Sequence, residues 1–167
     1  MIEFVLKDRR LRLYPDGKIT IRARCRGKET KNDTWNELPF FKNKNGYLTC
    51  SLTINGCQKG LYKHRLLHLA RNPGWDIFDS SRDNYIDHIN TSKDDNADGN
   101  LRIVTHQQNT FNRNAKGYTW HKGKNKWQAQ ICVDQQRMYI GVFEKEEDAR
   151  AAYLKAKARL HVMPEVS

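Results

Sequence analysis

The sequence predicts an α+β chain of small antiparallel sheets and few helices, in three parts. Two runs, at 18–26 and 46–54, alternate apolar and polar residues with the period of a strand. Only 38% of the 167 residues are hydrophobic, which suits several modest cores better than one large one. Lys and Arg less Asp and Glu give +10 over residues 1–72, −4 over 73–112 and +5 over 113–167. The parts are a β-rich arm at 1–72 that ends in a helix, a strand–loop–strand–helix unit at 73–113, and a three-stranded antiparallel sheet on one helix at 114–167.

The full chain carries +11, with a pI near 9.6. A charge this positive predicts a polyanionic partner, and nucleic acid is the default. There is no amphipathic basic helix of the membrane-surface kind and no apolar window of spanning length. Met1 to Lys7 has no long apolar stretch and no cleavage site. The expectation is a cytoplasmic protein with no membrane partner. Cys25, Cys50, Cys57 and Cys132 are dispersed and form no CxxC pair, so free thiols are expected and zinc is not.

In the arm, Pro15-Asp16-Gly17 is a turn signal. The run that follows puts Ile19, Ile21, Ala23 and Cys25 on one face of a strand. Lys18, Thr20, Arg22, Arg24 and Arg26 fall on the other. That basic stripe, with Arg22, Arg24 and Arg26 as the named contacts, suits a DNA backbone; an ordinary solvated sheet face is the alternative. Asn55-Gly56, after the second alternating run, is the strongest short hairpin signal. Residues 63–70 look helical and end before Asn72-Pro73-Gly74. His64 and His68 share one face of that helix. Arg65 stands where a zinc protease motif needs Glu, so packing or a phosphate contact is the default for the pair.

The central stretch carries the chemistry. Tyr85-Ile86-Asp87-His88-Ile89 reads as a strand, 91–99 as a polar loop and Leu101-Arg102-Ile103-Val104 as a second strand. Asp94, Asp95 and Asp98 read as decoration of a solvated loop. Thr105 caps a helix, with Gln108 in the capping-box position. Asn109 then falls in the first or second turn, from which it can point back toward Asp87 and His88. A carboxylate and carboxamides are oxygen ligands, which suit Mg²⁺ or Mn²⁺ rather than zinc. An imidazole titrates near about 6.5 and can take a proton from water at neutral pH.

This stretch resembles the HNH nucleases of the ββα-metal fold, in particular the phage and intron-encoded homing endonucleases. Their Asp-His, Asn-Leu-Arg and Gln-Asn pattern is matched by Asp87-His88, Asn100-Leu101-Arg102 and Gln108-Asn109. Gly46-Tyr47 and His64-Arg65-Leu66 resemble that group's N-terminal portion, so the likeness runs over residues 40–113. The resemblance implies a catalytic module at 73–113. In it Asp87 and Asn109 hold one divalent cation, His88 is the general base and Asn100 braces the loop and the His. The chain departs from the zinc-stapled HNH subset, because it has no CxxC pair.

The last part predicts strands at 117–122, 127–133 and 137–143, turns at 123–126 and 134–136, and a helix at 144–161. Ala149, Ala152, Tyr153, Ala156 and Leu160 lie on one helix face. Alternation turns Trp127, Ala129, Ile131, Val133, Met138, Ile140 and Val142 toward the helix. Thr119, His121, Gln128, Gln130, Arg137 and Tyr139 face away. A face of amides, Arg and aromatics can read base edges, and Lys122, Lys124 and Lys126 in the first turn can hold phosphates; a plain solvated face is the alternative. Residues 127–131, 140–143 and 147–153 resemble the AP2 DNA-binding domain, which implies a sheet set in the major groove. Residues 112–116 would link the two modules.

The sequence therefore reads as a site-specific endonuclease for double-stranded DNA using Mg²⁺ or Mn²⁺. The alternative is a non-catalytic AP2-type regulator that keeps an HNH-like fold. A monomer, which would nick, and a homodimer, which could cut both strands, both fit.

Overall fold

Residues 1–97 and 99–164 are described in the computed structural model; Asp98, read above as loop decoration, and the last three residues of the C-terminal part lie outside them. The chain opens on a hairpin, β1 (Ile2–Leu6) and β2 (Arg9–Leu13), with Phe4 set opposite Leu11. Phe4, Leu6, Leu11 and Leu13 are buried and their neighbours are not, the alternation of a sheet with one wet face. The 15–17 turn closes through Gly17 N–H on the Tyr14 carbonyl at 3.0 Å, with Gly17 at φ +78°. β3 (Ile19–Arg22) follows and pairs with β2.

The expected long strand at 18–26 breaks at Ala23. β4 (Arg24–Cys25) instead pairs with β5 (Lys28–Glu29) around a tight turn, where Arg26 and Gly27 both take positive φ. Ala23 N–H turns to the Thr34 carbonyl, and the Ala23 carbonyl accepts from Thr30. β6 (Trp35–Glu37) completes a four-stranded sheet of order β1-β2-β3-β6. Cys25 is therefore exposed rather than in the core, and Thr20 is buried on the face assigned to solvent.

β7 (Phe41–Lys42), β8 (Leu48–Ile54) and β9 (Cys57–Tyr62) make a three-stranded sheet. Asn55 and Gly56, at φ +48° and +77°, form the two-residue turn that matches strand twist. The helix α1 (Lys63–Arg71) follows β9 directly. Leu66, Leu67, Leu69 and Ala70 of α1 enter one core with both sheets. Each fully buried Leu contributes about 1.5–3 kcal/mol.

β10 (Tyr85–His88) and β11 (Leu101–Val104) form a two-stranded sheet, followed by α2 (His106–Phe111). The capping box is present: Thr105 Oγ1 accepts from Gln108 N–H at 3.2 Å, and Gln108 Oε1 accepts from Thr105 N–H at 3.0 Å. The chain divides into two compact units. Met1–Ser81 and Ile86–Ile103 form the first, and Arg82–Tyr85 and Val104–Ser167 the second.

In the second unit β12 (Tyr118–His121), β13 (Lys126–Val133) and β14 (Gln136–Phe143) form an antiparallel sheet, and α3 (Glu146–Leu160) packs on it. Tyr118, Ala129 and Ala149 are its buried centre, ringed by Trp127, Ile140 and Phe143. Gly117, at φ +73°, lies so close to Tyr153 that a Cβ would fall 2.2 Å from the ring. The register shifts at Ala129 and Gln130: Ala129 faces Gly141 and Gln130 faces Tyr139, so Ile140 is the extra residue. The shift corrects one expectation. Val142 pairs with Gln128 on the outer face, and Phe143, opposite Trp127, takes the helix side.

Candidate active site

Asp87 and His88 close β10 at 6% and 4% exposure. Burying a carboxylate beside an imidazole is costly unless each has partners, so the partners are the informative part. Successive strand residues face opposite ways, and the partners follow that rule. Asp87 Oδ2 accepts from Arg102 of β11 twice, from Nε at 3.1 Å and from Nη2 at 2.9 Å. The Arg102 side chain is 12% exposed, so this ion pair is poorly screened. His88 Nε2 lies 3.3 Å from Asn96 Oδ1. The His88 ring meets the His64 ring at 5.1 Å and 79°, and the Tyr47 ring at 6.0 Å.

His64 is the second residue of α1 and is 7% exposed. Tyr62, which precedes the helix, stacks on it at 5.3 Å and 29°. Burial, then the nearby His88 and Arg65 charges, pushes the His64 imidazole down to about 3, so it is neutral at physiological pH. His68 has different surroundings: its ring packs on Trp75 at 4.9 Å, and Asn72 donates to its backbone carbonyl.

Asn100 ties down the loop between the strands. Its Oδ1 accepts from Asn90 N–H at 3.0 Å, and its Nδ2 donates to Asn90 Oδ1 at 3.0 Å and to the Asp95 carbonyl at 2.7 Å. Asp94 and Asp95 do more than decorate this loop. Asp94 takes Lys42 Nζ at 2.6 Å and Ser92 Oγ at 3.0 Å, bonds that hold its carboxyl down at about 2. Asp95 accepts from Asn90 Nδ2 and Ala97 N–H. A short polar loop has to satisfy its own backbone, and these carboxylates do it.

Asn109, the other ligand the motif implies, lies half-buried in α2 of the second unit, whereas Asp87 and His88 belong to the first. Among the described residues, no three His, Cys, Asp or Glu side chains gather closely enough to hold a metal ion.

In the C-terminal sheet, Thr119 pairs with Gln128, His121 with Lys126, Gln130 with Tyr139 and Cys132 with Arg137. These pairs share the outer face, with Tyr139 at 59% exposure. Lys122 and Lys124 sit in a single exposed 3₁₀ turn. Lys126 belongs to β13 rather than to the turn, and its Nζ contacts Glu144 at 2.7 Å.

Arg22 and Arg24 of the arm are engaged within the fold. Arg22 pairs with Asp33 and lies 5.6 Å from the centre of the Trp35 ring; Arg24 pairs with Asp8. Arg26 is exposed in the β4–β5 turn.

Arg102 and His64 are among the residues around Asp87 and His88 to which the sequence assigns no part. Arg102 stood inside the quoted motif, and an Arg on the strand paired with that of a buried Asp is a readable sign. His64 stood in a helical His pair and in the His64-Arg65-Leu66 likeness, neither of which gave it a part beside His88.

No family model matches the chain, and no curated protein matches it. One solved structure that it resembles is described as "DNA binding and cleavage by the HNH homing endonuclease I-HmuI". The two are 20% identical over 84% of this chain and 74% of that one, with a TM-score of 0.44. A likeness that slight does not identify a fold. No helix among the described residues is long and apolar enough to cross a membrane.

Proposed function

We propose that the chain is a metal-dependent, site-specific endonuclease of double-stranded DNA. The observation that carries this reading is the buried Asp87–His88 pair, each member held by its own partners, in a chain of formal charge +11. A fold does not need a buried carboxylate next to a buried imidazole, and pairs of this kind concentrate where chemistry is done.

In this reading His88 takes the proton from the attacking water at a ring nitrogen. Asp87 offers a carboxylate to a hard cation, while Arg102 fixes that carboxylate through Oδ2. The motif alone supplies Asn109 as the second ligand. Oxygen donors of this kind fit Mg²⁺ or Mn²⁺ weakly, and the rest of the shell would come from phosphate and water. Such an ion supplies a Lewis acid for the phosphate and the leaving 3′-oxygen. Asn100 braces the loop behind His88.

The outer face of the C-terminal sheet, with Gln128, Gln130, Arg137 and Tyr139, is the proposed reader of base edges in the manner of an AP2 domain. Lys122 and Lys124 would contact phosphates. The test is cleavage of a supercoiled DNA pool with Mg²⁺, Mn²⁺ or EDTA, beside His88→Ala and Asp87→Asn. Metal-dependent nicking or linearisation that both variants lose, with binding retained, supports the enzyme. Tight salt-sensitive binding without cleavage of any pool supports the regulator instead. Gln130→Ala and Arg137→Ala should blunt target preference, and unchanged preference in both would remove the reader role.

A further inference from the structure

The buried imidazole that the proposed chemistry leaves unused is His64. It is carried by α1, whose Leu66 and Leu67 are 0% and 1% exposed. Tyr62 stacks on it at 5.3 Å. Tyr47 lies 5.5 Å from the His64 ring and 6.0 Å from the His88 ring, so the three rings form one packed group in the first unit. His64 Nδ1 is buried without a hydrogen-bond partner, so that nitrogen holds nothing in the protein, and the edge-to-face geometry makes the His64–His88 contact one of ring packing.

An imidazole on a strand has a broad, roughly two-fold second torsion and can turn its nitrogens through a wide arc. His88 Nε2 lies 3.3 Å from Asn96 Oδ1, and Asn96 belongs to the loop. The His64 ring, carried by α1, meets the His88 ring edge-to-face at 5.1 Å and 79°. We propose that His64 is a positioning residue: its helix-anchored ring sets the orientation of the His88 imidazole. The inference rests on the nuclease reading for its kinetic consequence, but not for the geometry itself. His64 has only basic neighbours in the first turn of α1, Lys63 and Arg65, and it stays uncharged beside His88.

The test compares wild type, His64→Ala and His64→Phe at a temperature where all three are folded. A displaced catalytic group costs on the order of a hundredfold. His64→Ala should therefore lower kcat by about that factor, with KM and DNA affinity within about twofold. His64→Phe restores a ring and should return kcat to within about fivefold of wild type. A merely structural role would lower the folded fraction and spare kcat of the folded molecules.

The second measurement is the ¹⁵N spectrum of the His88 ring. His64→Ala should shift or split its signals, and His64→Phe should leave one set close to that of wild type. Normal kcat in folded His64→Ala with unmoved His88 signals overturns the proposal, and so does a His64→Phe variant as slow as His64→Ala. If the wild type cuts no DNA, the nuclease reading fails, and the ring spectra still decide the positioning.

Discussion

Lowering the pH from 7 to 5 should weaken the first unit through His64 alone by about 2 kcal/mol. A histidine in an unfolded chain titrates near about 6.5. In the fold, burial above all, then the His88 and Arg65 charges, pushes His64 down to about 3. Between those two values the unfolded chain binds a proton that the folded chain refuses. Stability therefore falls as the pH falls, by about 1.4 kcal/mol per pH unit. One and a half such units separate about 6.5 from pH 5, which gives the figure of about 2 kcal/mol. The result hardly changes while the folded value stays below about 4.

His64→Phe isolates the effect, since Phe takes up no proton and keeps a ring in place. Urea unfolding at both pH values, followed by tryptophan fluorescence, gives the two losses. Wild type should lose about 2 kcal/mol more than the variant. Other groups, including His68, whose imidazole burial also pushes down, act in both proteins and cancel. Equal losses would refute the neutral, buried state of His64.

Arg102→Ala should cost about 3–5 kcal/mol in urea unfolding, because it removes both Arg102 bonds to the buried Asp87 carboxylate; a loss below about 1 kcal/mol would mean that water reaches Asp87. Gly117→Ala should destabilise the second unit by about 3 kcal/mol, from strain at φ +73° and a collision with Tyr153. Gly56→Ala, at φ +77° in open space, should cost only about 1 kcal/mol, and similar melting temperatures for the two variants would rule out the collision. A thiol reagent should label Cys25, Cys57 and Cys132 quickly in the native protein and Cys50 only on unfolding, since burial pushes the Cys50 thiol up to about 11; fast reaction of all four would contradict that burial.

What was legible in the sequence was local. Asn55-Gly56 turns where two left-handed residues are needed, and Thr105 with Gln108 makes the cap their spacing announced. The strands and helix of the C-terminal part stand within two residues of their expected bounds. What escaped depended on partners distant in sequence. The strand through Ile19 and Ile21 breaks because Ala23 gives its backbone to Thr30 and Thr34 instead of to a sheet neighbour. Alternation misplaced Val142 because a one-residue bulge reverses faces, and no turn residue marks it. At the site, Asp87, His88 and Asn100 were readable as a motif, but the ring contact with His64 joins a helix and a strand 24 positions apart.

The arginine pairs of the N-terminal sheet change what its charge is worth. Arg10 and Arg12 lie against Glu3, Arg22 against Asp33 and Arg24 against Asp8. Each of those carboxylates is a counterion built into the chain. A DNA phosphate that took its place would displace a tethered carboxylate and not a loosely held anion from solution. Affinity for DNA falls with salt by about 0.9 logarithmic units per phosphate neutralised. That slope should count fewer phosphates on this arm than its 16 Lys and Arg residues suggest.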